Sequence, residues 1–584
     1  MIGEQKPGVW LTLLVLVGAY FAVTAWNLHL QTIVNPDEPR YACPAREMLR
    51  GGDWVVPEFN ARPRLLKPIG FYWLIAATGA AGQAVGLGLA AALRLGPLLM
   101  GWLAVVATLL LGRRLAGAWC GVIAAVVLMT TWFFHQCSRE LVVDMTLTAF
   151  ITWSWLFCHI ALERIRTVRE AKSQEPRAKS FLPLLAFYLC LGLACMTKGP
   201  VLVALFVVVP LVIYLAWSRR LSDLRRAGLW WGAPLALAVG CWWFVVLWQR
   251  GYTQEVKAFF FTENVARAVG GKDHQRYIPF LFYLLDLGQN FAPWVILLPF
   301  AAWWSLQQWR SARAAETRNP KPETRLFLCC ALGVPFVILG LVFSKRALYL
   351  LPLYPLLALW VGWMTHDFVC RAGSELAWWR ARTAVGSVLL TLAVAAGVAT
   401  AAGGFLGAPV QLWLLVAFLL AATYWGLRIA PSDRVATVGQ ALMLALALCI
   451  GYETVARPIT EWTANRAAFY CEVNERLAGK PVVLLGLSSN EAVWYLDRPK
   501  EPLDDLRFPE LKARFFDAPG TKLLVSQRIL DKDAELKKAL VLEPLSVTRE
   551  GERFFLADPD PAHPPAPEIF KPVKERQQRV EGDE

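Results

Sequence analysis

The sequence has little charge and lacks the short motifs of common soluble enzymes. Asp, Glu, Lys and Arg make up 18% of the 584 residues. The 12 cysteines form no Cys-x-x-Cys pair and no Cys/His zinc pattern, so a zinc-binding module is not indicated. No Gly-rich phosphate fingerprint occurs in the apolar part, which argues against a nucleotide-binding fold there.

Long apolar runs are what the chain does have. Hydrophobic residues make up 56% of it, and the mean hydropathy is +0.42. Many windows of about 20 residues contain no charge, which is the length that crosses a bilayer as a helix. The runs are too long for barrel strands, and helices satisfy their own backbone hydrogen bonds in lipid. The sequence therefore predicts a polytopic helical membrane protein, whose 27 Trp fit interfacial belts.

Hydropathy predicts about thirteen spans, with the N-terminus inside and the C-terminus outside. The apolar segment 71–92 is rich in Gly and Ala, and we interpret it as re-entrant or interfacial. The predicted spans are 8–30, 93–112, 117–136, 145–162, 182–197, 200–217, 229–249, 286–306, 326–343, 348–366, 384–404, 407–427 and 435–455.

The net charge of +14 has two explanations, nucleic-acid binding or positive-inside topology. Topology is favoured, because the basic clusters fall in the predicted inner loops. They include Arg113 with Arg114, the run from Arg164 to Lys179, and Arg219 to Arg226. Membrane lipids are therefore expected as partners, and nucleic acid is not.

The character of the chain changes near residue 456. Charged and Pro-bearing sequence begins there, with strand-like runs at 481–487, 522–526 and 553–557 and a helical pattern at 461–478. We predict a membrane domain at 1–455, a small α/β domain outside the membrane at 456–560, and a disordered tail at 561–584. Cys43 and Cys471 would both lie outside, and a disulfide between them is left open.

The stretch NPDEPRYACPAREML, which begins at Asn35, places two acids where the chain leaves its first span. Pro39 suits the first turn of a helix, and Asp37 or Glu38 there would face exposed amides. One interpretation is that Asp37 only caps this helix. A cap needs one acid, however, and charge at a membrane boundary is costly unless it is paired or functional. We therefore favour a functional role.

Other ionisable or polar residues are predicted at the same level of the membrane. A snorkelling cation or an anchor explains each of them alone, but together they predict one cavity with carboxylates to activate a nucleophile and cations to hold phosphate. They are Lys67, Arg139, Glu140, Asp144, Lys198, Glu263, Asn264, Arg267, His274, Tyr283, Lys345, Arg346 and Tyr349.

These residues carry a resemblance to a known family. Asp37-Glu38-Pro-Arg40-Tyr41, Arg46-Glu-Met-Leu, Gly52-Asp53-Trp54 and Lys67-Pro68-Ile-Gly-Phe-Tyr72-Trp73 resemble the first outer loop of the aminoarabinose lipid A transferase family. The wider protein mannosyltransferase-like group, with the GT-C fold, is similar. Thr-Lys198-Gly-Pro, the run from Glu263 to Arg267, His274 and Ser344-Lys345 continue the resemblance in order, over about residues 8–365.

The resemblance implies an inverting transfer of a sugar from a polyprenyl-phosphate donor to an acceptor outside the membrane. The acceptor would be a lipid A-like glycolipid, another glycan or a protein. Asp37 would be the catalytic carboxylate, supported by Glu38 and Asp144. The implied donor-phosphate ligands are Lys67, Arg267, Lys345 and Tyr349, and the implied substrate-binding or supporting residues are Arg40, Tyr41, Arg139, Lys198, Glu263, Asn264, His274 and Tyr283.

The chain departs from that family at one position. Members often carry Glu just before the Lys-Pro pair, and this Glu shares a metal with a His of the later loop. Here the position is Leu66, and a lone His274 is weak evidence for zinc. No cofactor is therefore predicted, and a divalent metal held by His274 is left open.

Two other functions fit parts of the pattern. A transporter or flippase for lipid-linked sugars would place ionisable residues near the bilayer midplane on broken helices. Here they cluster at span ends, which favours an interfacial enzyme. An inactive relative acting as a scaffold is the second alternative, and Leu66 motivates it.

Overall fold

The chain forms two compact units in a computed structural model. The structure describes residues 9–33, 37–170, 178–262, 281–314, 321–342, 345–370, 382–390, 392–393, 410–429, 433–487, 489–497, 503 and 508–570. The membrane unit comprises Met1–Leu28, Leu65–Ala81 and Arg94–Thr454. The sheet unit comprises His29–Arg64, Gly82–Leu93 and Val455–Glu584.

The membrane unit consists largely of apolar helices, many of which overlap the predicted spans. Gly117, with φ 106°, makes the tight turn between two of them, a conformation that only glycine adopts without strain. The main helices are Val9–Thr24, Gly70–Ala84, Leu89–Ala116, Ala118–Met129, Trp132–Arg139, Val143–Glu170, Ala178–Lys198, Pro200–Val203, Val209–Trp217, Leu229–Gln249, Thr253–Phe260, Phe282–Asn290, Leu298–Ala314, Lys321–Leu341, Tyr354–Cys370, Val410–Tyr424 and Asp433–Gly451.

Within the described residues, eight helices are long and apolar enough to cross a membrane, or nine if the bent pair Ala118–Met129 and Trp132–Arg139 is one span. The chain is thus a multi-pass membrane protein, and thirteen spans stay a prediction. The predicted span 384–404 lies largely outside the described residues. The helix Gly70–Ala84 has 15 residues, or about 22 Å at 1.5 Å per residue, which is short for a crossing.

The sheet unit contains a four-stranded mixed sheet. We number the strands β1 (Glu58–Phe59), β2 (Arg62–Pro63), β3 (Val482–Leu485), β4 (Lys522–Ser526), β5 (Leu540–Pro544) and β6 (Phe554–Pro559). The order is β3-β4-β6-β5, with β3 and β4 parallel and the other pairs antiparallel. β1 and β2 form a separate two-residue hairpin in the first loop. Three of the four sheet strands match the predicted runs, and β5 was not predicted.

Apolar cores cover both faces of this sheet, and alternate residues of β3 point into the two cores. Val482 and Leu484 point to one core, and Val483 and Leu485 point to the other, as the two-residue period of a strand requires. The first core is completed by the helix Arg466–Leu477 and by Cys43 of the first loop. Burial raises the pKa of the Cys43 thiol to about 12, so it behaves as a small apolar side chain.

The boundaries differ in detail from the prediction. The helix expected at 461–478 is two helices, Arg457–Ala464 and Arg466–Leu477, because Asn465 takes a left-handed conformation. Residues 29–64 group with the C-terminal sequence, which hydropathy alone did not indicate. The 3-10 turn Pro567–Phe570 buries Ile569, so folded sequence reaches ten residues past 560. Cys43 is buried, Cys471 is exposed, and both are free thiols.

Glu472 fastens the helix Arg466–Leu477 to the turn that follows β5. Its carboxylate accepts hydrogen bonds of 2.8 Å from the amides of Ser546 and Val547, and it contacts Arg476. Burial raises the pKa of Glu472, but these amides and the Arg476 charge outweigh it and lower the pKa below its usual value. The ionised carboxylate therefore stabilises the fold above the unfolded-state pKa, and this contribution is lost as pH falls through the lower folded-state pKa.

We predict that Glu472→Gln destabilises the sheet unit by about 1–3 kcal/mol, because two backbone amides lose an ionised acceptor. Hydrogen exchange of the Ser546 and Val547 amides should accelerate at pH 7, and the difference from wild type should shrink below about pH 4. Glu475→Gln, an exposed position on the same helix, is the control. Equal exchange in both variants would contradict the assignment.

Candidate active site

An ion pair between two helix ends is the central feature of the membrane unit. Asp144 lies in the first turn of Val143–Glu170, and Lys198 is the last residue of Ala178–Lys198. The Lys198 ammonium donates to the Asp144 carboxylate, and it lies 5.0 Å from the ring centroid of Tyr349. Each charge has the sign that its helix end favours, since helix N-termini attract anions and C-termini attract cations. Lys198 is only 7% exposed, so a cation is held in a nearly dry setting.

The Lys67 loop packs on the same end of the Lys198 helix. A Cβ at Gly70 would lie 2.8 Å from the carbonyl oxygen of Met196, so no larger residue fits there without movement. Gly70, three residues after Lys67, therefore lies against Met196, two residues before Lys198. The two lysine-bearing motifs meet at this contact, and a single cavity that holds both lysines stays a prediction.

The segment that carries Lys345 and Tyr349 completes this end of the unit. Lys345 is 5% exposed, and its ammonium donates to the Val342 carbonyl at 2.6 Å. Tyr349 lies in the 3-10 helix Ala347–Leu353, which packs on Val143–Glu170 and on Phe282–Asn290. The second of those helices buries Tyr283. The predicted residues Lys198, Asp144 and Tyr349 are therefore in contact, with Lys345 and Tyr283 on the elements next to them.

A second charged network lies five residues before Asp144. The Arg139 guanidinium pairs with Glu453 at 2.9 Å and donates to the carbonyls of Thr24 and Trp26 at 2.5 and 2.7 Å. Nε2 of His135 lies 3.0 Å from the Glu453 carboxylate. Arg139, Glu453 and His135 are all 0% exposed. Three separate helix ends are tied together there, by charges that would be prohibitively costly if unpaired.

Glu453 and His135 were not among the predicted site residues. Glu453 occupies a π-helical turn, Tyr452–Ala456, an arrangement that is frequent at functional sites. A signal was present in the sequence, because Glu453 is the only acid in the predicted span 435–455. An ionisable residue within a span has a partner or a function by default.

The acids of the first loop belong to the sheet unit. The helix Pro39–Leu49 begins after Glu38, whose side chain makes no capping hydrogen bond and is 3% exposed. Asp37 lies 3.7 Å from the guanidinium of Arg40, and its backbone carbonyl accepts from the Arg40 amide. Tyr41 is buried in the same helix. Glu38, the acid nearest the helix, therefore does not cap it through its side chain, and its functional role stays a prediction.

Four predicted residues, Glu263, Asn264, Arg267 and His274, lie outside the described residues. In the part of the chain that the structure describes, no three His, Cys, Asp or Glu side chains group as metal ligands. Position 66 is a half-exposed leucine, which cannot ligate a cation. Leu66 does not fit the metal site of the resembled family, a divalent metal held by His274 stays a prediction left open, and no step of the chemistry is assigned to a metal.

Comparison with known proteins identifies the fold. The family model for dolichyl-phosphate-mannose-protein mannosyltransferases matches residues 9–251. The crystal structure of ArnT from Cupriavidus metallidurans bound to undecaprenyl phosphate superimposes with a TM-score of 0.66 at 21% identity, over 97% of this chain and 99% of that one. Its apo form gives a TM-score of 0.67. The chain has the GT-C fold.

Sequence relatives of this GT-C protein are named as transferases. An undecaprenyl phosphate-alpha-4-amino-4-deoxy-L-arabinose arabinosyl transferase of Pectobacterium carotovorum subsp. carotovorum (strain PC1) is 31% identical over 385 residues. That match covers 62% of this chain and 60% of the relative. A transferase of the same name, numbered 1, from Pseudomonas fluorescens (strain Pf0-1) is 29% identical over 56% of this chain and 53% of its own length. The predicted resemblance to the aminoarabinose transferases and the predicted GT-C fold are confirmed.

The buried network around Glu453 makes a stability prediction. Arg139→Met or Glu453→Leu alone should destabilise the protein by about 3–5 kcal/mol, because either leaves a charge buried without its partner. The double variant should recover part of that loss, since two apolar side chains replace the pair together. Thermal unfolding of detergent-purified protein measures this, and a double variant as unstable as the sum of the singles would contradict the coupling.

Proposed function

We propose that this GT-C protein is an inverting glycosyltransferase that uses a polyprenyl-phosphate sugar as donor. The acceptor is a lipid A-like glycolipid, another glycan or a protein, and transfer occurs at the extracytoplasmic face. The observation that carries the proposal is the nearly buried Lys198, held between Asp144 and Tyr349 at a helix end. The GT-C fold and the names of the similar transferases support it.

The reaction needs a cation where negative charge develops. An acceptor hydroxyl oxygen attacks the anomeric carbon, the bond from that carbon to the phosphate oxygen breaks, and the polyprenyl phosphate leaves with the electron pair. Fixed cations in a site with little water stabilise such a leaving group well. We assign this role to Lys198, with Lys67, Arg267, Lys345 and Tyr349 as further phosphate ligands.

The attacking hydroxyl must also lose its proton. We assign Asp37 to orient the acceptor and take the proton, with Glu38 beside it in sequence. Asp144 was first expected to support the catalytic carboxylate directly. Its contact with Lys198 favours a different task, which is to orient the lysine and to balance its charge before the donor arrives.

We predict that Asp37→Asn lowers kcat by about 10²–10⁴-fold, the range of a general base, and changes the KM for the donor much less. The assay is release of free polyprenyl phosphate from a panel of polyprenyl-phosphate sugars by purified protein with acceptor. Asp53→Asn is the matched control, because Asp53 lies in the same loop and accepts the Val55 amide at 2.7 Å.

The outcomes of this assay are distinct. Acceptor-dependent release that collapses in Asp37→Asn alone supports the transferase and its base. If Asp37→Asn and Asp53→Asn both release polyprenyl phosphate at the wild-type rate, another residue is the base. If no donor is turned over but lipid-linked sugar crosses vesicle membranes, the transporter alternative holds instead.

Lys198→Gln should lower kcat by about 10²–10³-fold, the typical loss when one donor to a developing oxyanion is removed. Lys257→Gln is the control, since Lys257 is an exposed lysine on the helix Thr253–Phe260. Asp144→Asn should impair turnover in the same direction, because Lys198 loses the carboxylate that orients it. Wild-type kcat in Lys198→Gln would remove this residue from the phosphate site.

A further inference from the structure

The helix Pro39–Leu49 directly follows Asp37 and Glu38, and we call it the acid-bearing helix for that reason. It packs within the fold of the C-terminal sequence. Arg46 is 6% exposed, and its guanidinium donates to the carbonyls of Trp494 and Val493 at 2.8 and 3.1 Å. Those carbonyls end the helix Ser489–Tyr495, where helical carbonyls lack partners of their own. Arg46 therefore caps a helix that lies about 450 residues away in sequence, and it also stacks on the Trp494 ring at 4.9 Å.

Asp497 links this cap to the rest of the acid-bearing helix. Its carboxylate lies 3.1 Å from Arg46 and receives two hydrogen bonds from Arg50, at 2.7 and 2.6 Å. The hydrogen bonds from Arg50 and the charge of Arg46 hold the pKa of Asp497 below its usual range. A forked contact of this kind fixes direction as well as distance.

The chain is fastened on the other side of the acids too. The Ile33 amide donates to the Tyr495 hydroxyl at 3.0 Å, and Thr32 donates to Glu461. Further on, the side-chain amide of Asn60 exchanges two hydrogen bonds of 2.7 Å with the backbone of Leu503. Cys43, 1% exposed, adds an apolar anchor in the core of the sheet. Asp37 and Glu38 are thus bracketed by attachments to sequence beyond residue 455.

We propose that the C-terminal sequence from Val455 is a positioning element for the catalytic acids, with Arg46 and Asp497 as its positioning residues. The inference rests on the proposed function for the identity of Asp37 as base. Its physical ground is that a loop of 36 residues loses much conformational freedom when it is ordered, and packing on a folded domain supplies the compensating contacts. A displacement of about 1 Å at a reacting group can cost about 10²-fold in rate.

The test compares Asp497→Asn with Glu543→Gln in the full-length protein. Glu543 is a matched control because it is similarly exposed and pairs with an arginine, Arg476 at 3.1 Å, wholly within the C-terminal sequence. We expect kcat of Asp497→Asn to fall about tenfold with the donor KM within about twofold, since the contact acts on geometry rather than on binding. Asp497→Glu, which keeps the charge, should recover part of the loss, and Glu543→Gln should match wild type.

Hydrogen exchange supplies a readout that does not depend on turnover. Amides of residues 39–50 should exchange faster in Asp497→Asn than in Glu543→Gln or wild type. Faster exchange with wild-type kcat would overturn the proposal, because the contact would then fasten the loop without setting the chemistry. Unchanged exchange at 39–50 would overturn it as well.

Failure of the proposed function has a different signature. If wild-type protein turns over no donor, the transferase assignment is wrong. The hydrogen-exchange comparison alone then decides whether the C-terminal sequence holds the acid-bearing helix. If Asp497→Asn does not fold, kcat and hydrogen exchange are compared in Asp497→Glu and Arg46→Lys instead. Arg46→Lys keeps the charge but loses the planar guanidinium that donates to several acceptors at once. It should therefore give an intermediate fall in kcat.

Discussion

The Asp144–Lys198 pair sets the arrangement of the membrane unit, because a buried charge in an apolar bundle needs a partner of opposite sign. The helices Val143–Glu170 and Ala178–Lys198 pack along each other, and a short connection makes them antiparallel. The N-terminus of the first therefore meets the C-terminus of the second. An acid at one end and a base at the other then complement both helix dipoles. The same geometry places Asp144 and Lys198 together at one end of this helix pair.

The Arg139–Glu453 network extends this principle to the first and last helices of the unit. Arg139 satisfies two carbonyls where the helix Val9–Thr24 ends, and carbonyls at a helix end have no partner within the helix. Glu453 balances the charge from a π-helical turn, and the Asn27 side chain donates to the Glu453 carbonyl at 2.9 Å. The segment from Arg139 to Asp144 is therefore fixed at both ends by buried ion pairs. Such fixation limits the movement of Lys198, since its partner Asp144 belongs to that segment.

The sequence predicted most of the helices and three strands, because those signals are local. Hydropathy marks a span within its own 20 residues, and short strand-like apolar runs marked β3, β4 and β6. β5 was missed because Glu543 and Pro544 interrupt its short apolar run. The position of Lys198 near Asp144 followed from topology, since both lie at span ends on the same side. Its stacking on Tyr349 depends on a 3-10 turn that hydropathy does not describe.

Pairs that are distant in sequence could not be predicted from one sequence. Arg46 and Asp497 are 451 positions apart, and no local sequence pattern around either residue predicts that they pair. The stretch from Asn35 was predicted to begin a helix at a membrane boundary, where the chain leaves its first span. The structure gives Tyr41, Cys43 and Met48 a protein interior instead, with Cys43 in the core of the sheet.

That interior position determines what Arg46 does. Its guanidinium is already occupied by two carbonyls and a carboxylate. An arginine with those partners has few donors left for a phosphate. In the proposed mechanism the phosphate-binding role therefore belongs to the lysines of the membrane unit, and the proposed role of Arg46 is to position the helix that follows Asp37 and Glu38.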